Sequence, residues 1–175
     1  RGRVRRRTIG VTRTARQRTS LAAGRARATP VDGAQQVRRV EIPSANGTGT
    51  ARALAGLYGA AATGGSEIGF TPEIFDALIA PPRNPSGGTR DMVLRLDGAY
   101  SLGFCKEFPR MVFGSSGEAF GTPGFGGSFG FADPDTGVGF GYVMNRLGFH
   151  LVSDPRELAI RQALFHDVLG ARLQS

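Results

Sequence analysis

One cysteine, two histidines and no tryptophan stand among the 175 residues, and a single lysine is found, Lys106. Each scarcity closes a route to function. Cys105 alone cannot build an internal disulfide framework. No Cys, His and Asp residues recur at the spacing of a metal site, so neither a metal nor another cofactor is expected. His150 follows a glycine-rich segment and His166 sits among apolar neighbours in sequence, and isolated histidines of this kind read as structural. No stretch approaches the roughly 18 consecutive apolar residues of a membrane-crossing helix. No apolar core follows the basic opening residues, as a secretory signal would require. A membrane is therefore not an expected partner, and a cytoplasmic location is the expectation.

The formal charge of +8 is unevenly held. Arg1 to Arg39 carry 12 arginines against one acid, Asp32, whereas Val40 onward carries 10 basic and 13 acidic residues. Basicity is thus a property of the first segment, and the remainder is mildly acidic. Arginine-rich arms can bind nucleic acid by neutralising phosphates. This one has no interleaved aromatics for stacking on bases, no zinc spacing and no basic helix leading into heptads. A disordered or non-homologous arm over residues 1–38 is the favoured reading, with nucleic-acid binding the lesser one.

From residue 39 the text becomes that of a folded domain. Thr48 or Thr50 can cap a helix bearing Leu54, Leu57, Tyr58 and Ala61 on one face, ended by Gly64-Gly65. "TPEIFDALIAPP" reads as a second helix, with Thr71 as cap, Pro72 first in and Pro81-Pro82 as stop. "MVLRL" and "YSLGF" read as strands. "GGSFGFA" and "VGFGYVMN" flank "DPDTG", which is hairpin grammar: Asp133 opens the turn, Pro134 pre-sets its φ and Gly137 leaves it. "SDPRELAIRQALFHDVLGARL" is a last helix capped by Asp154, with Glu157 three residues on and an apolar stripe of Leu158, Leu164, Phe165, Val168 and Leu169. The order predicts an α+β fold, an antiparallel sheet flanked by helices.

The glycine-rich strings within Glu118 to Arg146 pose the functional question. A dinucleotide loop needs a helix after its strand, and here strand follows on both sides. A nucleophile elbow fails for the same reason, since "GGSFG" places Ser128 at a strand start. Two readings stay open. Gly124, Gly126 and Gly130 either let a strand edge approach a ligand or permit close helix packing and a bulge.

"PSANGTGTARALAGLY", "YSLGFCK" and above all "AFGTPGFGGSFGFADPDTGVGFGYVMNR" resemble the C-terminal half of the β-lactamase-related serine hydrolases, a family of class C β-lactamase-like, penicillin-binding-protein-like and esterase-type enzymes. The resemblance covers about residues 39 to 170. It implies a β-lactamase/transpeptidase-like fold, incomplete here, and places the glycine-rich block along the active-site cleft. The family's third box, Lys-Thr-Gly or a variant, falls on Thr122, Pro123 and Gly124. It also implies that the Phe125 N–H is an oxyanion donor and that Thr122, Gly124 and Gly126 line the substrate site. Ser44-Ala45-Asn46 spells a Ser-x-Asn triplet, but its place matches a turn and cap, so Ser44 and Asn46 are secondary substrate-site candidates.

The family's other boxes can be sought by counting. Three residues before Lys106 stands Gly103, so Ser-x-x-Lys is absent; two after Tyr58, Tyr100 and Tyr142 stand Ala60, Leu102 and Met144, so Tyr-x-Asn is absent as well. The chain is expected to be the C-terminal part, residues 39–175, of a hydrolase acting on a small ester or amide through an acyl-enzyme, and inactive alone. A non-catalytic remnant or binding module is the alternative. Thr122 and Pro123 supply no positive charge for a substrate carboxylate, which favours esters or small amides over β-lactams.

Overall fold

The computed structural model describes residues 7–10, 36, 39–43, 47–109, 111–150 and 152–173. Its centre is a six-stranded sheet in the order β1-β6-β5-β4-β3-β2. The strands are β1 (Arg7–Gly10), β2 (Tyr100–Ser101), β3 (Phe104–Lys106), β4 (Phe120–Pro123), β5 (Phe129–Asp133) and β6 (Val138–Tyr142). Five of them, β2 to β6, pair antiparallel, and β1 joins the β6 edge in parallel with Arg7 opposite Val138. β1 lies within the arginine-rich arm and gives four of its residues a place in the sheet.

Alternation along the central hairpin sorts residues to two faces. Phe129, Phe131, Val138 and Phe140 go to one side, where Met111, Phe113, Ala119, Leu164 and Phe165 complete a core. The Phe131 and Phe140 rings stack at 5.1 Å across the register pair they form. The other face carries Ala132 and, from β4, Phe120, against Tyr58, Ala61, Ala62 and Leu78. The sheet is thus covered on one side by α1 (Ala51–Ala62) and α2 (Pro72–Ile79), and on the other by α3 (Pro155–Ala163) with its π-helical extension Leu164–Leu169.

The expected caps form. Thr50 accepts from the Ala53 N–H, Thr71 from Ile74 and Asp154 from Arg156, with Pro72 and Pro155 in the first turns. The hairpin turn forms as read, and Gly137 has φ +67°. Asp133 adds a tertiary role to its turn position: it is fully buried and accepts from the Ser115 N–H at 2.9 Å and hydroxyl at 3.1 Å.

Four local expectations are corrected. "MVLRL" is no strand, because the Asp91 carboxylate accepts from the Val93 and Leu94 N–H groups and folds the segment into a turn that exposes Met92 and Val93. "YSLGF" is two short strands joined at Leu102-Gly103, both in the left-handed region at φ +46° and +86°. The face α1 buries runs through Ala51, Ala55, Tyr58, Gly59 and Ala62, and Leu57 is exposed. In the last helix Leu164 and Phe165 are buried but Val168 is exposed, and His166 faces solvent beside Asp167 rather than apolar neighbours.

Candidate functional site

β4 delivers Thr122 to the surface, opposite Gly130 of β5. Beneath it, Tyr58 of α1 packs on the bare backbone of Gly130, with its phenol on the Thr122 side. Burial lifts the Tyr58 phenol above its ordinary pKa, and the nearby Thr122 side chain only partly offsets this. The phenol is therefore neutral at pH 7 and serves as a buried prop for the strand. Pro123 pairs with Phe129 at the end of β4, and the chain then turns.

The turn from Gly124 to Ser128 is tightly specified. The Gly124 N–H donates to Ser128 O at 2.7 Å, and the Gly127 N–H donates to Gly124 O at 3.1 Å. Gly126 and Gly127 hold φ at +84° and +108°, where a Cβ would be strained. A Cβ at Gly124 would overlap the Ser128 hydroxyl. Phe125 stands at the tip, 70% exposed, and among the described residues its N–H makes no hydrogen bond. Gly130, Gly139 and Gly141 have a different task. A Cβ on each would overlap α1, at Tyr58, at the Gly59 backbone and at the Ala51–Ala55 turn respectively. Of the two readings, close helix packing holds for the glycines in the strands, and in the Gly124–Gly127 turn the glycines supply backbone geometry.

Behind the turn lies a cluster with no counterpart in the sequence reading. Arg156, in the first turn of α3, donates from Nη2 to Gly126 O at 3.3 Å, from Nη1 to Arg146 O at 2.7 Å and from Nε to Asp154 Oδ1 at 2.9 Å. Its hydrogen bonds hold the Asp154 carboxyl down at about 2. Next to it, Glu157 and Arg161 form a buried two-pronged ion pair, with Nε–Oε2 at 3.0 Å and Nη2–Oε1 at 3.1 Å, and the guanidinium sits 5.3 Å from the Phe129 ring centre. A void of about 10 Å³, room for one water at most, separates these charges from Gly124 and Gly127. Only the "DPR" string hinted at them, and it was legible as a helix start alone.

The remaining candidates fall elsewhere. Ser44 and Asn46 lie outside the described residues. His150 is exposed and lines that small void, and His166 pairs with Asp167 at 2.6 Å. Lys106 is buried and donates to the carbonyls of Leu78, Ile79 and Glu118, tying the end of α2 to the loop before β4. Burial brings its ammonium down to about 8. A larger cavity of about 870 Å³ opens beside it, between Pro81, Phe108 and Glu118, and includes none of the Thr122–Gly126 residues. Among the described residues no His, Cys, Asp and Glu group could hold a metal, and no helix is long and apolar enough to cross a membrane.

An antiparallel sheet between helices is the fold this chain shares with solved proteins of the β-lactamase/penicillin-binding-protein class. The Beta-lactamase family model matches residues 3–165, so the chain belongs to that family. It is 39% identical over 117 residues to the esterase/β-lactamase LipL of Mycobacterium tuberculosis, which covers 67% of this chain and 26% of that protein. A penicillin-binding-protein homologue from Caulobacter crescentus superposes with a TM-score of 0.66 at 42% identity, over 77% of this chain and 36% of that one. A family VIII carboxylesterase gives a TM-score of 0.66 at 31% identity, over 79% and 37%. The chain spans about a quarter of the curated relative and little more than a third of these structures.

Proposed function

We propose that this chain forms one wall of the cleft of a serine hydrolase that cleaves small esters or amides through an acyl-enzyme. In this reading the Phe125 N–H is one of two oxyanion donors, and Thr122, Gly124 and Gly126 line the substrate side of the wall. The carrying observation is the Phe125 N–H, unpaired among the described residues, at the tip of a turn held by the Gly124 and Gly127 N–H bonds. A preorganised donor of this kind stabilises charge as it develops on a carbonyl oxygen, and removing one typically costs about 10²–10³ in kcat.

Substrate preference is inferred from the exposed end of β4. Thr122 brings a hydroxyl and Pro123 lacks an N–H, so this edge offers no cation to a substrate carboxylate. That supports uncharged esters or small amides over β-lactams, and the likeness to a carboxylesterase supports the same choice.

The 175 residues contain neither Ser-x-x-Lys nor Tyr-x-Asn. The nucleophile and base are therefore proposed to come from a complementary N-terminal half, and the chain by itself forms no acyl-enzyme. A fluorophosphonate probe tests this directly. The chain should not label, whereas the protein extended by its upstream coding sequence should label and should hydrolyse p-nitrophenyl acetate well above nitrocefin. Labelling of the 175-residue chain, or nitrocefin turnover rivalling the ester, would overturn the proposal.

A further inference from the structure

The Phe125 N–H can act as a donor only if its peptide plane is held in one orientation, and among the described residues no hydrogen bond holds that N–H itself. The hydrogen bonds supply a chain of command two peptides long. A trans peptide is planar, so its C=O and N–H point in opposite directions and fixing one fixes the other. The Gly126–Gly127 peptide is bonded at both ends: its C=O accepts from Arg156 Nη2 at 3.3 Å and from the Gly148 N–H at 2.7 Å, and its N–H donates to Gly124 O at 3.1 Å. That Gly124 C=O belongs to the same peptide as the Phe125 N–H. With the carbonyl drawn into the turn, the N–H is turned out of it.

Arg156 is itself immobilised. The buried Asp154 carboxylate, the cap of α3, takes its Nε at 2.9 Å and its Nη2 at 2.5 Å, while Nη1 reaches Arg146 O at 2.7 Å. One guanidinium thus joins the turn after β4, the segment after β6 and the start of α3. The Arg156 side chain is 40% exposed, but its face toward the turn is closely packed, since a Cβ at Gly127 or Gly148 would crowd the Asp154–Arg156 pair.

We propose that Arg156 is a positioning residue that sets the orientation of the Phe125 N–H through the Gly126–Gly127 peptide. The proposal rests on the reading of Phe125 as an oxyanion donor, and the test separates the two. Amide hydrogen exchange is followed on the full chain for the natural sequence, Arg156→Gln and Arg156→Lys. Loss of the clamp is expected to speed exchange at Gly127 and Gly148 about tenfold or more, with the β5 and β6 amides unchanged. Arg156→Lys, which keeps the charge and one donor direction, restores part of the protection and carries the test if the Gln variant does not fold. Unchanged exchange at Gly127, or equal acceleration across β5 and β6, overturns the clamp. In the protein extended by its upstream coding sequence, Arg156→Gln should lower kcat for ester hydrolysis by about 10- to 100-fold with little change in KM. Local exchange as expected with kcat unchanged would instead overturn the Phe125 donor reading.

Discussion

The ring of Tyr58 in α1 lies where a Cβ on Gly130 would stand, so the helix beneath the sheet seats directly on the β5 backbone. The arrangement needs a missing Cβ at residue 130. Gly130→Ala is expected to push the ring aside and cost about 1–3 kcal/mol, as overpacking does. Tyr58→Phe keeps the ring on Gly130 and should cost less, about 1 kcal/mol or below. Urea denaturation of both variants checks the order; an alanine at 130 that costs nothing would show that the ring has room.

Two glycines near the same interface should respond in opposite directions. Gly139→Ala places a methyl on the Gly59 backbone and is expected to destabilise by about 1–3 kcal/mol or to prevent folding. Gly56 is exposed inside α1 and a Cβ there meets nothing, so Gly56→Ala should stabilise by about 0.5–1 kcal/mol through helix propensity. Thermal midpoints of the two variants are the measurement.

The buried Glu157–Arg161 pair predicts a non-additive double mutant. Glu157→Ala strands a buried guanidinium and should cost about 3–5 kcal/mol. Replacing both, as Glu157→Leu with Arg161→Met, removes the charge problem and should cost less than the single change. A double variant that is less stable than Glu157→Ala would contradict this.

Lys106 gives a pH signature. Its ammonium is 1% exposed, and burial depresses it from 10.5 to about 8. Between these values the unfolded chain holds a proton that the folded chain has released, so this group makes stability rise with pH across about 8 to 10.5. The steepest slope it can supply is about 1.4 kcal/mol per pH unit. Tyrosines with raised pKa values act in the opposite sense in the same range, so the measurement is a difference. The stability of the natural chain relative to Lys106→Met, from urea melts at pH 7.5, 8.5 and 9.5, should grow with pH. A flat difference would mean that the ammonium keeps its proton through its three carbonyl partners.

What the sequence by itself determined was local. Caps at Thr50, Thr71 and Asp154, the turn at Pro134 to Gly137 and the alternation of the Phe-rich hairpin each rest on neighbours within a few residues, where spacing dictates geometry. The absence of Ser-x-x-Lys and Tyr-x-Asn was equally readable, because counting needs no structure. Tertiary structure decided what depends on distant partners. "MVLRL" has a strand's pattern but no ladder to join, and Asp91 captured its N–H groups first. The buried face of α1 is its small-residue face because Gly139 and Gly141 of β6 admit the helix backbone, a constraint lying about 80 residues away in sequence. Lys106 and Arg156 look unremarkable in the chain. Each takes its role from backbone atoms that only folding brings within hydrogen-bond reach, and such atoms carry no residue letter to read.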